Sequence, residues 1–256
     1  ELGAAISGAR TMGFIGLNLT LPHKVLAVDL VHCLDASARL WGAVNTIRFE
    51  AQDAGGGWQP LGHFPAPPVP PVRAKGFNTD AEAITRAMRE DLGIEVGGRS
   101  VLLLGCGGAG RTAALKFASD GAARLYLVNR TAAKAEQVRS EISRRWPRVV
   151  VTLGYPPGEV DLIVNATPLG LRAGDPLPLD LRQFPVSRAR AVYDMIYRPA
   201  QTPLLSAGKA AGCHVANGLG MLLYQGTRAL EIWTGRAAPE DAMRRALERH
   251  IYKADE

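Results

Sequence analysis

Four apolar residues, Val101-Leu102-Leu103-Leu104, run directly into Gly105-Cys106-Gly107-Gly108-Ala109-Gly110, and a helix-like stretch then continues to Asp120. Few folds accept a buried strand, a G-x-G-x-x-G turn and a helix in immediate succession. Gly105 permits the tight turn, Gly107 lets the backbone approach a pyrophosphate, and Gly110 lets helix and strand pack closely. The helix start, with Gly108 and Ala109 in its first turn, offers unpaired N–H groups and a partial positive charge to that pyrophosphate. Cys106 fills the variable position and needs no reactive role.

The surrounding sequence repeats the same alternation. Helical spacing covers Ala81–Leu92, Gly108–Asp120 and Ala132–Arg145. Short apolar runs fill Ser100–Leu104, Ala123–Val128, Val149–Thr152, Asp161–Asn165 and Ala191–Asp194. Continuous apolar strands separated by helices predict an α/β fold whose parallel sheet is covered on both faces, a doubly wound, Rossmann-type dinucleotide domain.

The end of the next strand selects the dinucleotide. An NAD site usually places a carboxylate about 20 residues on, against the ribose 2′-hydroxyl. Here the strand ends in Asn129-Arg130-Thr131, with Lys134 one turn further. Arg130 can offer a flat, bidentate guanidinium to a 2′-phosphate. Thr131 can cap the following helix and also donate, Asn129 stands beside them, and Lys134 adds a cation. The cofactor expected is NADP. After the strand that ends at Asn165, Asn165 and Thr167 are placed to face a ribose or pyrophosphate, because ligands of such sheets bind beyond the carboxyl ends of the strands. The plainer readings are a solvated Arg130 and a turn in which Asn165 satisfies its own backbone.

Composition excludes several other functions. No run approaches the roughly 18 apolar residues of a membrane span. The net charge of +6 comes from 30 basic and 24 acidic residues, and the densest basic stretch, Arg144 to Arg148, is short and reads as a solvated helix end, so nucleic acid is not an expected partner. Three cysteines without a CxxC point to a reducing compartment, the cytoplasm. His32, His63, His214 and Cys33 are too scattered for a metal site, and none is expected.

Outside the alternation, Phe14–Leu21 reads as a strand, Lys24–Leu40 as a helix and Val44–Phe49 as a strand. Ala51–Lys75, with Gly55-Gly56-Gly57 and six prolines between Pro60 and Pro71, reads as a surface excursion of partly polyproline character. Met221–Trp233 and Pro239–Ile251 read as closing helices.

Three segments are polar where a core is expected: Asn18 to Lys24, Ala43 to Thr46, and Gly76 to Asp80. Asn, Thr, Lys and Asp at strand ends can jointly hydrogen-bond a small polyhydroxylated ligand, although singly each is a common cap or turn residue. In order along the chain stand GLNLTLPHK, GAVNT, GFNTD, GCGGAG, NRT, NATPLG, YDMIYRPAQTPLL and NGLGMLLYQG. This series resembles the shikimate dehydrogenase family from about Gly16 to the C-terminal helices, interrupted by the proline-rich excursion.

The resemblance implies an oxidoreductase of aromatic amino acid biosynthesis, which reduces 3-dehydroshikimate reversibly to shikimate with NADPH. Lys24 and Asp80 match the family's catalytic pair. Asn18, Thr20, Asn45, Thr79 and Gln225 match its substrate-hydroxyl ligands, Tyr197 the substrate edge of the cleft, and Gly218 and Met221 the lining of the nicotinamide. The residue types suit the chemistry: hydride delivery to a ketone builds negative charge on oxygen, and an ammonium beside it can stabilise that charge and supply the proton. Asp80 would keep that ammonium charged and oriented. Two alternatives are a quinate or amino-shikimate dehydrogenase using NAD(P), and a regulatory relative that binds without turnover. Asn129-Arg130-Thr131 argues against NAD, and the joint presence of Lys24 and Asp80 argues against pure binding.

The implied architecture is a discontinuous substrate domain, 1–79 and 218–256, with a dinucleotide domain at 80–217, closing on its ligands as a monomer or homodimer. The family's chains open with a strand and a Ser-x-Ser segment that grips the substrate carboxylate. Only 17 residues precede Asn18, and Ser7 lies in a helix-like stretch, so part of the native N-terminus is expected to lie outside this chain.

Overall fold

The computed structural model describes residues 1–20, 22–65 and 71–252. The chain forms two compact units: Glu1–Asp80 with Tyr224–Met243, and Ala81–Leu223 with the chain from Arg244.

The first unit holds α1 (Leu2–Thr11), β1 (Gly16–Asn18), α2 (His23–Leu26), β2 (Cys33–Leu34), α3 (Ala36–Trp41), β3 (Thr46–Gln52), β4 (Trp58–Pro60) and β5 (Val72–Phe77). The strands form a mixed sheet in the order β1-β3-β5-β2, with β4 also paired to β3. The central pair is antiparallel, from Thr46 opposite Phe77 to Ala51 opposite Val72. Ile47, Phe49, Ala51 and Ala74 pack with Ile6 and Ala9 of α1 into one core.

Two expectations fail in this unit. Lys24–Leu40 is not one helix. Helix α2 ends at Leu26, and Asp35 starts a new one, because its carboxylate accepts the Ser37 N–H at 2.9 Å and so caps α3. Ahead of that cap, the backbone of Cys33–Leu34 pairs with Lys75–Gly76 instead of continuing a helix. The excursion at Ala51–Lys75 is largely structured as well. Asp53 accepts the Gly55 and Gly57 N–H groups at 3.0 and 2.8 Å, closing a turn that folds β4 back on β3. Pro60 ends β4, an outer strand, where its missing N–H costs no ladder bond. The prolines at 67, 68 and 70 lie outside the described residues.

The second unit follows the expected alternation. It contains α4 (Asp80–Leu92, opened by the last residue of the first unit), β6 (Ser100–Leu104), α5 (Gly108–Ser119), β7 (Arg124–Val128), α6 (Ala132–Arg145), β8 (Val150–Leu153), β9 (Val160–Asn165), β10 (Ala189–Asp194), α7 (Pro203–Ala210) and β11 (His214–Asn217). Helices α8 (Leu219–Thr234) and α9 (Glu240–Tyr252) close the chain. All six strands are parallel, in the order β11-β10-β9-β6-β7-β8. Counted from β6, this is the 3-2-1-4-5-6 order of a dinucleotide-binding sheet. Val101, Leu102, Leu103 and Leu104 are all buried, because helices cover both faces. Helix α7 has no apolar run to announce it, yet its start is written locally: the Thr202 hydroxyl accepts the Leu205 N–H, and Pro203 takes the first turn.

No helix among the described residues is long and apolar enough to cross a membrane.

Candidate active site

In the first unit, the polar segments converge at the carboxyl ends of β1 and β5 and the start of β3. Lys24, on the first turn of α2, donates from Nζ to Asp80 Oδ2 at 2.7 Å. Asn45 Nδ2 donates to Asp80 Oδ1 at 3.0 Å and to Thr79 Oγ1 at 2.9 Å, while its Oδ1 accepts the Thr79 N–H at 2.8 Å. Gln225 Oε1 of α8 stands 3.5 Å from the same Asn45 nitrogen. Asp80 is also the first residue of α4, where the helix dipole favours a negative charge. The carboxylate is therefore fixed by a lysine, an amide and a helix end. The Asp80 side chain is 8% exposed and that of Lys24 24%, so the ammonium is the accessible member of the pair.

Sequence patterns named Asn45 but passed over Thr46. It is fully buried, with Oγ1 at 3.4 Å from Asn18 Oδ1 and from Thr79 Oγ1, so it links the end of β1 to the turn after β5. Its place in GAVNT was the available signal. Asn78 was also passed over; its Nδ2 donates to Ala43 O and holds the turn ahead of Asn45. Asn18 and Thr20 are exposed, and the Thr20 carbonyl accepts the His23 N–H. Tyr197, in the second unit, is 38% exposed.

In the second unit, a cavity of about 340 Å³ is lined by Gly105, Gly107, Asn129, Arg130, Thr131, Lys134 and Thr167, with Leu104, Val128, Ala166, Pro168, Leu169 and Pro178. The glycines behave as their spacing predicts. Gly105 has φ +97°, and a Cβ on Gly110 would lie 2.0 Å from Gly105 O. A Cβ on Gly107 would meet nothing within 4 Å, so the space in front of the turn is open to a ligand. Gly108 and Ala109 begin α5 beside it. Among the described residues no carboxylate lines the cavity, and two cations do. These are the features a 2′-phosphorylated dinucleotide requires.

Several residues expected at this cofactor site also hold the fold around it. Asn165 does not line the cavity. It is fully buried, donating to Asp194 Oδ1 at 3.0 Å and to Leu169 O at 3.2 Å, and accepting from Thr167 N and Oγ1 at 3.0 and 2.7 Å. Its amide is spent on shaping the loop that presents Thr167. Asn129 accepts the Cys106 N–H at 2.8 Å and donates to Thr131 O at 2.8 Å, tying β7 to the glycine turn. Thr131 occupies the N-cap of α6, but its hydroxyl makes no capping bond. Gly218 and Met221 stand at the β11–α8 junction. There Gly218 N donates to Ile196 O, and a Cβ on Gly218 would lie 2.1 Å from Met195 O. Among the described residues no group of His, Cys, Asp and Glu could hold a metal ion.

Residues 1–47 match the family model described as the shikimate dehydrogenase substrate binding domain. Residues 218–248 match that of the shikimate 5′-dehydrogenase C-terminal domain. The shikimate dehydrogenase (NADP(+)) of Methanopyrus kandleri is 34% identical over 98% of this chain and 82% of its own length. The structure of shikimate 5-dehydrogenase from Thermus thermophilus with NADP(H) and shikimate is 32% identical, with a TM-score of 0.76 over 97% of this chain and 83% of that one. That of a 5-ketofructose reductase from a Gluconobacter species is also 32% identical, with a TM-score of 0.77 over 97% and 83%. By its sequence over nearly its whole length and by its fold, the chain belongs to the shikimate dehydrogenase family.

Proposed function

We propose that this chain is an NADP-dependent oxidoreductase that reduces 3-dehydroshikimate reversibly to shikimate, within aromatic amino acid biosynthesis. The observation that carries the reading is the Lys24–Asp80 pair, fixed by Asn45 in a chain that is 34% identical to a shikimate dehydrogenase (NADP(+)).

When bound, NADPH supplies the hydride that adds to the ketone carbon. Gly105, Gly107, Gly108, Ala109 and Gly110 would hold its pyrophosphate, Arg130 and Lys134 its 2′-phosphate, and Thr131 and Thr167 the adjacent sugar. Gly218 and Met221 would border the nicotinamide. Lys24 places its ammonium at the ketone oxygen, offsets the charge that develops there, and holds the proton that completes the alcohol. Asp80, 2.7 Å from the Lys24 Nζ, keeps that side chain pointed. Asn18, Thr20, Asn45, Thr79 and Gln225 would bind the ring hydroxyls, with Tyr197 at the edge. The substrate domain is assigned to 1–79 and 218–256 and the dinucleotide domain to 80–217. The enzyme would work in the cytoplasm as a monomer or homodimer.

The structural relatives include a quinate dehydrogenase from Corynebacterium glutamicum in complex with NAD and the 5-ketofructose reductase. One assay therefore separates the readings: formation of reduced nicotinamide, followed by absorbance, with shikimate, quinate or fructose and with NADP or NAD. The expected result is turnover of shikimate with NADP in preference to every other pairing. Preference for quinate, for fructose or for NAD would overturn the assignment, as would binding of shikimate without turnover.

A further inference from the structure

Asp194 closes β10 at the carboxyl edge of the parallel sheet and is fully buried. Its Oδ1 accepts from Asn165 Nδ2 at 3.0 Å and from Ile196 N at 3.1 Å. Its Oδ2 accepts the Thr202 hydroxyl at 2.7 Å. Thr202 is itself fully buried and accepts the Leu205 N–H through the same oxygen, which leaves its proton for Asp194. Among the described residues no lysine, arginine or histidine pairs with this carboxylate. Burial pushes its carboxyl above the ordinary range, and the three donors oppose that rise. A set of donors without a cation holds a negative charge and leaves it uncancelled.

The strand order fixes which part of the dinucleotide lies near this charge. The glycine turn follows β6 at the centre of the sheet, and Arg130 and Lys134 follow β7 on one side of it. A pyrophosphate at the turn with its 2′-phosphate toward β7 sends the other half of the molecule across the ends of β9 and β10. Asp194 pairs in register with Asn217, next to Gly218, whose backbone touches Met195 and Ile196.

We propose that Asp194 is kept as a buried anion beneath the nicotinamide half of the site and biases that site toward the oxidised cofactor. The oxidised ring carries a positive charge that the reduced ring lacks, and a fixed charge in a low-dielectric interior acts strongly across several ångströms. Asp194 touches neither ligand; it is a positioning residue that also sets the local field. The inference rests on the NADP reading above.

The test uses the full chain and its Asp194→Asn variant, without substrate. Dissociation constants for NADP+ and for NADPH are measured separately by calorimetry. A merely structural role weakens both forms by the same factor. The charge role weakens NADP+ by about tenfold more than NADPH. An equal loss for the two forms, or no loss, overturns the proposal. Thr202→Val, which removes one donor but keeps the carboxyl, serves if Asp194→Asn does not fold. It is expected to give a smaller split of the same sign, and an equal loss there is again fatal. A wild-type chain that binds neither form overturns the cofactor reading and this one with it, whereas normal binding without a split overturns this one alone.

Discussion

Lys24 and Arg130 are both cations near a ligand cavity or cluster, yet the partners around them assign them different work. Lys24 is fixed by a carboxylate that is itself fixed by Asn45. On the proposed mechanism, removing its ammonium would take away charge stabilisation and the proton but no expected cofactor contact. Lys24→Ala is therefore expected to lower kcat by about 10²–10⁴-fold, with the NADPH dissociation constant within about twofold of wild type. A variant with full turnover would remove Lys24 from the reaction. Arg130 lines the cavity after β7, and among the described residues no carboxylate lines it to discriminate against phosphate. A hydrogen bond to a charged group is worth about 1.5–3 kcal/mol, so Arg130→Ala is expected to cost about 10–100-fold in kcat/KM with NADPH. NADH, which lacks the 2′-phosphate, is expected to be unaffected. Equal losses with both cofactors, in steady-state kinetics, would show that Arg130 does not read that phosphate.

At the scale of elements, the amino ends of the second unit's strands are fastened by Asp161 on β9. Its carboxylate accepts the Ser100 N–H and hydroxyl of β6 at 2.9 and 2.8 Å, and pairs with Arg99 at 3.3 Å. Burial raises its carboxyl, but the Ser100 bonds and the Arg99 charge outweigh that and leave it below the usual carboxylate value. A depressed folded value means that the unfolded chain binds more protons through the acid range. The stabilisation is therefore complete above the unfolded value of about 3.9, and it disappears as pH falls through the folded value. Asp161→Asn is expected to cost about 1 kcal/mol at neutral pH. In thermal melts that deficit should hold down to about pH 4 and shrink below it; a deficit that grows on acidification contradicts the assignment. The parallel sheet containing this link was legible in sequence because each strand, covered on both faces, is a continuous apolar run such as Val101–Leu104. The first unit was less legible. β2 has two residues, β4 has three and ends in proline, and an Asp35 cap breaks what reads as a single helix. Among site residues, Lys24, Asp80, Asn45 and Thr79 were legible as motifs and do meet in space. Asn165 is turned inward where its position after β9 suggests it faces the cofactor, because a polar side chain at a strand end can as well hold its own loop. No local pattern distinguishes the two until the partner, here Asp194, is seen.

For the whole molecule, the two polar constellations belong to different compact units. Lys24, Asn45, Thr79, Asp80 and Gln225 belong to one, and the cavity lined by Gly105, Arg130 and Thr167 to the other. Ligand binding adds stability according to the ratio of free ligand to dissociation constant, about 2.7 kcal/mol at a hundredfold excess. That stability appears first where the ligand holds backbone groups that otherwise open locally. Hydrogen exchange of the full chain then separates the two ligands. NADP alone is expected to slow exchange at 105–111, 129–134 and 165–170, where the glycine turn, the cationic strand end and the Thr167 loop meet the cavity. Shikimate alone is expected to slow exchange at 18–24, 45–46 and 78–80. Gly107 provides the sharpest check. The space before it is open, and its own N–H and the first N–H groups of α5 have no partner among the described residues, so a pyrophosphate there would supply one. Unchanged exchange at 107–110 with saturating NADP, measured by mass spectrometry, would contradict the cofactor site. Protection there together with unchanged exchange at 18–24 and 78–80 under saturating shikimate would leave the dinucleotide site standing and remove the substrate site from the Lys24–Asp80 pair.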